Sequence, residues 1–289
     1  MAIKNLPVEY ANEIISVVAS DMGGRGVSRI CRPEYWQAAV KKLSCISRVA
    51  VVSGFFVPSA KAPETDGPGG AAIIARAFAE QGVETEIWTD SFCIDAISAC
   101  ASEIGFHPEK VKIPENCKIL DSYSPQAIIF TERLGRAADG RYYNMRKKDI
   151  SCWTPSIDGL AIASERRGII TVGIGDGGNE VGMGNFMQEL YGILPEYKTC
   201  LSVVRTDIAI PVDVSNWGCY ALVAAMSYVW GIWRGHRDDD ERAMLETLRS
   251  FGVVDGISMK PELSVDGFPL PVHESVISKL HNIWLKYAC

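Results

Sequence analysis

The chain has 289 residues, of which 47% are hydrophobic and 22% charged, a composition typical of a folded globular protein and unlike that of a disordered chain. Its 29 basic and 35 acidic residues give a net charge of −6, which repels a phosphate backbone, so nucleic acid is not expected as a partner. The nine cysteines form no C-x-x-C pair, which argues against a disulfide framework or a zinc knuckle and favours buried, reduced thiols.

The first half of the chain alternates between helical and strand patterns. Two helices are predicted before the first strand, and a glycine-rich link at 22–26 separates them. The start has no basic region followed by an apolar run, so a cytoplasmic protein is expected. Alternation of strand and helix predicts a parallel sheet with right-handed crossovers. The predicted elements are helices at 8–20 and 33–47, a strand at 48–54, a helix at 68–79, a strand at 84–89 and a helix at 92–104.

The second half continues the alternation and ends in helices. An uncharged stretch at 214–233 is long enough to span a membrane, but it opens with Ser215 and Asn216 and contains Gly231. A buried core helix is therefore expected, and no membrane partner. The predicted elements are a strand at 126–131, a helix at 156–167, a strand at 169–174, a strand within 201–210, and helices at 217–233, 238–251 and 273–287.

These elements predict an α/β fold, a three-layer sandwich with a mainly parallel, doubly wound sheet and extra helices at both termini. No linker rich in Pro, Gly or Ser separates two folding units. We therefore expect a single domain over 1–289, with a helical extension at 1–47 and an α/β core with C-terminal helices at 48–289. Whether the protein forms a homo-oligomer is left open.

Three loops rich in glycine and polar residues follow predicted strands, where ligands bind in open α/β sheets. The first, at 53–70, ends in Glu64 and Asp66 and leads into glycines at the start of a helix. Free N–H groups at such a helix start attract anions, so a substrate carboxylate is predicted to dock there. The alternative is that Asp66 and Gly67 simply cap the helix, with Pro68 in its first turn.

The second loop, at 132–146, carries four arginines among acidic and amide residues. Arginine is the natural bidentate partner of a carboxylate. Arg146, Arg136 and Asn144 are therefore candidates for binding a substrate carboxylate. The alternative is a solvated loop with internal ion pairs.

The third loop, at 171–185, formally contains G-x-G-x-x-G after a strand, but that pattern alone is weak evidence. An aspartate would face the pyrophosphate and no acidic residue follows at the ribose position, so no nucleotide cofactor is expected. Asp176, Asn179, Glu180 and Asn185 instead offer hard oxygen atoms on a flexible backbone. Such a set suits Mg²⁺ or Mn²⁺, or an acid/base cluster. The alternative is a purely structural turn.

Two further Val-Asp-Gly sequences, at 254–256 and 265–267, lie near the C-terminus. Asp-Gly pairs are typical of turns. A lid over a binding pocket is the other interpretation.

Three motifs in these loops resemble hallmark stretches of one known family. PETDGPGGA at 63–71, GRYYNMRKKDIS at 140–151 and GIGDGGNEVGMGN at 173–185 are similar to segments of the D-glutamate cyclase C-terminal domain family, in the same order. The resemblance implies a lyase that converts D-glutamate into 5-oxo-D-proline with loss of water. The animal enzyme carries an additional N-terminal domain.

Lactam formation needs a base for the α-ammonium, an electrophilic γ-carboxyl and groups that hold carboxylates. The different-class alternative is a non-catalytic binding or regulatory module for an acidic amino acid or its lactam, while a kinase or ligase would need a P-loop that is missing. The predicted catalytic residues are Asp176, Glu180, Glu64 and Asp66; the predicted substrate-binding residues are Gly67, Gly69, Gly70, Asn144, Arg146, Arg136, Gly177 and Gly178; and the predicted metal ligands are Asp176, Asn179 and Glu180.

Overall fold

The structure, a computed structural model, describes residues 4–288. Every helix and strand predicted above is present, although several are shorter than predicted. The helices are α1 (Val8–Val18), α2 (Pro33–Leu43), α3 (Pro68–Glu80), α4 (Ile94–Glu103), α5 (Ile119–Tyr123), α6 (Gly159–Glu165), α7 (Met187–Ile193), α8 (Ser215–Trp230), α9 (Asp240–Ser250) and α10 (Leu270–Tyr287). The strands are β1 (Arg48–Val52), β2 (Phe56–Val57), β3 (Ala62–Pro63), β4 (Glu84–Trp88), β5 (Val111–Lys112), β6 (Ala127–Thr131), β7 (Ile170–Gly175), β8 (Ile208–Pro211), β9 (Ser264–Val265) and β10 (Phe268–Pro269).

Six of the strands form a parallel sheet in the order β5-β4-β1-β6-β7-β8. Strand β1 lies between β4 and β6, with Val51 opposite Ile87 and Ile129. The chain adds strands to one side of β1 and then returns to add strands to the other side. The winding therefore reverses between β1 and β6, and a ligand site is expected beyond the carboxyl ends of these strands. The predicted doubly wound parallel sheet is confirmed.

Both faces of the sheet are covered, which explains why its strands are apolar on both sides. In β1, Val49 and Val51 pack into a core with α1 to α4 and α8 to α10. Ala50 and Val52 point to the opposite face and join a second core with α5 and α6. Helices, sheet and helices make three layers, so the predicted three-layer sandwich is confirmed.

Helix α8 lies in the interior of the larger helical layer. All of its residues from 215 to 228 are buried, and it packs against α3, α10, α1 and α2. It ends at Gly231, whose φ of 73° is readily adopted by glycine. The predicted buried core helix is confirmed. Within residues 4–288, no helix combines the length and the apolar character that crossing a membrane requires.

Several short elements were not predicted. Strand β5 has two residues, and α7 follows a 3₁₀ turn at Met183–Phe186. Two antiparallel hairpins, β2–β3 and β9–β10, stand apart from the main sheet. Among the cysteines that the structure describes, five are buried, as expected for most of them; Cys289 lies outside the described residues.

Candidate active site

The three predicted loops meet beyond the carboxyl ends of the parallel strands. Glu64, Arg146 and Asp176, one from each loop, line the same cavity, whose volume is about 490 Å³. The β9–β10 turn closes another side of this cavity, and the link between α1 and α2 also reaches it. The loops therefore converge as predicted. The carboxyl groups that gather at the cavity come from Glu64, Asp66, Glu132, Asp176, Glu180 and Asp266.

The N-terminus of α8 connects three of these carboxyl groups. The backbone N–H of Ser215 donates to Asp66 Oδ2 at 2.9 Å and to Asp176 Oδ2 at 3.2 Å. The hydroxyl of the same serine donates to Glu132 Oε2 at 2.6 Å. Oxygen atoms of Asp66, Glu132 and Asp176 all lie within 4.8 Å of one another. A helix N-terminus favours negative charge, so α8 helps to hold three buried carboxyl groups close together.

Arg25 provides the positive charge at this cluster. Its Nη1 lies 2.6 Å from Asp176 Oδ1, and its Nη2 lies 2.9 Å from Asp266 Oδ2. Within residues 4–288, Arg25 is the one basic side chain that forms ion pairs with these carboxyl groups. One guanidinium faces several carboxyl groups, so they cannot all be ionised together at low cost.

The pKa values of the cluster follow from its burial. Burial raises the pKa of Asp66 to about 7, and neighbouring negative charge adds to the effect. Burial and neighbouring carboxyl groups also raise the pKa of Glu64 and of Glu132 well above their usual range. Burial raises the pKa of Asp176 in the same way, although the positive charge of Arg25 works against it. A carboxyl group with a pKa of about 7, such as that of Asp66, can both donate and accept protons near neutral pH.

Glu180 and Asn179 lie at the cavity, but their polar groups bind the protein backbone. The carboxylate of Glu180 accepts from the N–H groups of Gly177 at 2.7 Å and Gly178 at 2.8 Å, which shapes its own loop. Asn179 Nδ2 donates to the carbonyl of Tyr143 at 2.9 Å. The predicted metal set was Asp176, Asn179 and Glu180, whereas the carboxyl groups close enough to share an ion are those of Asp66, Glu132 and Asp176.

The glycines at the start of α3 are buried and do not line the cavity, and Gly69 and Gly70 face side chains of α8. The side-chain oxygen of Asn216 accepts from the N–H of Gly67 at 2.9 Å and of Gly70 at 2.7 Å. A Cβ on Gly69 would lie 3.0 Å from the Tyr220 hydroxyl. The prediction that these N–H groups are free for a substrate carboxylate is therefore wrong for Gly67 and Gly70, because a side chain of α8 already occupies them. As in the alternative interpretation, Gly67 is the N-cap residue and Pro68 lies in the first turn, but the side chain that binds the N–H of Gly70 is that of Asn216 and not that of Asp66.

Of the two arginines predicted in the second loop to bind substrate, Arg146 lies at the cavity. Arg146 lines the cavity at an exposed position and donates to the carbonyl of Gly256 at 3.0 Å. Asn144 also lines the cavity, and its side chain accepts from the N–H of Arg146 at 3.0 Å. Arg136 instead makes a bidentate ion pair with Asp158 away from the cavity, at 2.8 and 3.0 Å. The structure does not bring Arg136 to the predicted site, because its bidentate pair with Asp158 holds the guanidinium outside the lining of the cavity.

Four residues of the site were missed by the sequence analysis: Arg25, Glu132, Ser215 and Asp266. Glu132 directly follows the predicted strand at 126–131, and its position at a strand end was the available signal. Its φ of 44° is unusual for a residue with a long side chain. Asp266 belongs to one of the two Val-Asp-Gly turns, and the cavity is lined by residues of both. Arg25 and Ser215 had no signal of this kind.

Comparisons with known proteins are consistent with the resemblance seen in the motifs. The chain is 30% identical over 316 residues to the human protein "D-glutamate cyclase, mitochondrial", in an alignment that covers 94% of this chain and 51% of that protein. The chain thus spans about half the length of this relative. Among solved structures, an exopolyphosphatase-related protein from Bacteroides fragilis is 9% identical with a TM-score of 0.43, covering 88% of this chain and 58% of that one.

The sequence model of the family described as "D-glutamate cyclase-like, C-terminal" matches residues 14–281. This match includes all three motifs and both hairpins at the cavity. Since it extends over nearly the whole chain, the chain belongs to the D-glutamate cyclase-like, C-terminal family.

Proposed function

We propose that this protein is a lyase that interconverts D-glutamate with 5-oxo-D-proline and water by intramolecular lactam formation. The observation that carries the proposal is the group of buried carboxyl groups with raised pKa values that surrounds one cavity. Membership of the family supports the same reaction. A protein that only bound an anionic amino acid would gain nothing from so many carboxyl groups.

The reaction moves protons between groups of this kind. The α-amino nitrogen of the substrate attacks the γ-carboxyl carbon, a C–N bond forms, and a C–O bond breaks to release water. An ionised carboxyl group must accept protons from the α-ammonium, and a protonated one must donate to the departing oxygen. Asp176 and Glu132 line the cavity, and both accept hydrogen bonds from Ser215. Asp176 accepts from its backbone N–H, and Glu132 accepts from its hydroxyl. They are our candidates for these two roles, with Glu64 next to them.

The protein does not have to bring two separate reactants together in this reaction, because both reacting groups belong to one molecule. The protein must instead fold the substrate so that its amino and γ-carboxyl groups meet. Arg146, at the exposed side of the cavity, and Asn144 are placed to guide a carboxylate inward. The lining carboxyl groups favour the ammonium at the opposite side.

A divalent cation is compatible with the site. Asp66, Glu132 and Asp176 each offer an oxygen atom, the three atoms lie within 4.8 Å of one another, and oxygen is the donor that Mg²⁺ and Mn²⁺ prefer. We propose these three residues as the ligands. A cation held there would supply Lewis-acid polarisation of a substrate carboxyl.

The test is incubation of the purified chain with D-glutamate and, separately, with 5-oxo-D-proline, followed by chiral chromatography of both compounds. Parallel samples contain Mn²⁺ or a chelator, and L-glutamate serves as the stereochemical control. We expect interconversion of the D compounds in both directions. Absence of turnover in all samples would overturn the proposal, and binding of either compound without turnover would support the alternative of a binding module.

A further inference from the structure

The N-terminal extension reaches the cavity through a firmly anchored segment. Asp213, just after β8, accepts from the N–H groups of Ser20 and Asp21, each at 2.9 Å. The side chain of Asp21 in turn accepts from the N–H of Gly26 at 2.7 Å. Gly26 has a φ of 78°, and a Cβ there would lie 2.7 Å from the side chain of Ile193. The backbone on both sides of Arg25 is therefore held in place against the α/β core.

The side chain of Arg25 is anchored by two ion pairs. One terminal nitrogen pairs with Asp176 and the other with Asp266, so the guanidinium spans two walls of the cavity. The side chain keeps 27% of its exposure and lines the cavity. A guanidinium has five N–H donors in a rigid fork. The two ion pairs engage one nitrogen each, which leaves donors for a ligand.

The charge of the cavity makes this arginine important for an anionic ligand. Glu64, Glu132, Asp176 and Asp266 line the cavity together with Glu180, and those among them that are ionised repel a carboxylate. Arg146 is the other arginine in the lining, but it is exposed and lies beside Gly256 at the opening. Beyond Arg146, Arg25 is the cation in contact with the carboxyl groups among residues 4–288, and its positive charge can attract a carboxylate there.

We infer that Arg25 binds the α-carboxylate of the substrate and so determines specificity for ligands that carry this group. The inference rests on the proposed function, because the α-carboxylate is the group that D-glutamate and 5-oxo-D-proline share and that the reaction leaves unchanged. Arg25 is a binding residue here and takes no part in proton transfer. The N-terminal extension thereby completes a site whose other polar groups come from the α/β core and its C-terminal turn.

The test compares two lactams that differ in this one group. Isothermal titration calorimetry measures binding of 5-oxo-D-proline and of 2-pyrrolidinone, which lacks the carboxylate, to the wild type, Arg25→Gln and Arg25→Lys. We expect Arg25→Gln to weaken 5-oxo-D-proline binding by at least ~10-fold, since a hydrogen bond to a charged group is lost. Arg25→Lys keeps the charge without the fork and should bind with intermediate affinity. The matched control is Arg29→Gln, a neighbouring exposed arginine that pairs with Asp21 outside the cavity.

We expect the wild type and Arg25→Gln to bind 2-pyrrolidinone with equal affinity. The affinity of the wild type for 2-pyrrolidinone should not exceed the affinity of Arg25→Gln for 5-oxo-D-proline. Circular dichroism checks whether each variant is folded. If Arg25→Gln does not fold, Arg25→Lys provides the comparison with the wild type. Equal weakening of both lactams would mean that Arg25 only balances the charge of the carboxyl groups, and unchanged binding would also overturn the inference. If the wild type binds 5-oxo-D-proline through Arg25 but turns nothing over, the proposed reaction fails and the inference stands.

Discussion

The carboxyl groups at the cavity differ in how completely the backbone satisfies them. Asp66 accepts from three backbone N–H groups, and Glu180 accepts from three within its own loop. Asp176 and Glu132 face fewer donors, and both line the cavity. A carboxylate that accepts several backbone N–H groups has few lone pairs left, whereas one with more free lone pairs can more readily exchange a proton with a ligand. Asp176 and Glu132 are therefore better suited to chemistry than Asp66 and Glu180.

Asp176→Asn removes a proton-accepting group at nearly constant shape, so the fold should survive and turnover of D-glutamate should fall at least ~100-fold. Initial rates of lactam formation, with circular dichroism as the check on folding, measure this. The matched control is Asp139→Asn, an exposed carboxyl group of the second loop whose loss should leave the rate unchanged. Full activity of Asp176→Asn would remove this residue from the mechanism.

Glu180→Gln should lower stability, because the amide replaces one accepting oxygen by a donor that faces an N–H group of the same loop. An unmet buried donor costs about 1–3 kcal/mol. Urea denaturation measures the change in the free energy of unfolding. Glu196→Gln, at an exposed position of the cavity rim, is the control. Unchanged stability of Glu180→Gln would mean that the loop does not depend on this carboxylate.

At the scale of elements, α3 and α8 approach each other so closely that glycine is required between them. A Cβ on Gly70 would lie 2.7 Å from Cys219 Sγ and 2.9 Å from Asn216 Oδ1. This close contact lets Asn216 reach the first turn of α3 and sets the N-terminus of α8 against the carboxyl groups. The glycines of the first motif thus act on the site through helix packing.

Gly70→Ala should therefore destabilise the protein by about 1–3 kcal/mol, the usual effect of adding atoms to a packed core. The control is Gly192→Ala in α7, where an added Cβ meets no atom within 4 Å. There the better helix propensity of alanine should leave stability equal or raise it by about 0.5–1 kcal/mol. Thermal and urea unfolding of both variants provide the comparison. Equal stability of the two variants would show that α3 and α8 can move apart at no cost.

At the scale of the whole molecule, the site concentrates acidic groups inside a protein that is already negative, with a net charge of −6. Burial raises the pKa values of these groups, so the native protein holds protons that the unfolded chain releases. Carboxyl groups with lowered pKa values act in the opposite direction. At Asp158, burial raises the pKa, but hydrogen bonds from Arg136 and Tyr142 outweigh it and leave the pKa lowered.

The free energy of unfolding should therefore fall as the pH rises between the unfolded and folded pKa values of the cluster, which for Asp66 are 3.8 and about 7. In this window the native state binds more protons than the unfolded state, which gives stability a negative slope with pH. Groups with lowered pKa values change stability at more acidic pH. Urea denaturation across this range measures the slope, and Asp266→Asn should reduce it because burial raises the pKa of that carboxyl as well. A stability that rises through the window would contradict the raised pKa values.

Much of the fold follows from patterns within short stretches of sequence. The apolar strand at 48–54 and the proline that opens α3 are local signals, and each predicted its element correctly. Gly231 ends α8, but the predicted helix at 217–233 continued past it. The order of strands and helices then predicted a parallel sheet, because parallel neighbours need helical crossovers. Convergence of the three loops at one edge follows from that topology. The two-residue strands, such as β5, and the short helices α5 and α7 were not predicted, because so few residues give no clear hydrophobic pattern.

By itself, the sequence determined the family, the layered α/β fold and the edge of the sheet that carries the site, because these depend on local periodicity and on motifs that are continuous in the chain. Only the tertiary structure decided which side chains meet there. Arg25 reaches Asp176 across 151 positions of sequence, and Ser215 reaches Glu132 across 83. The same packing places the side chain of Asn216, on α8, where it accepts hydrogen bonds from the N–H groups of Gly67 and Gly70. Such contacts depend on how whole elements pack, and no pattern within a single segment encodes them.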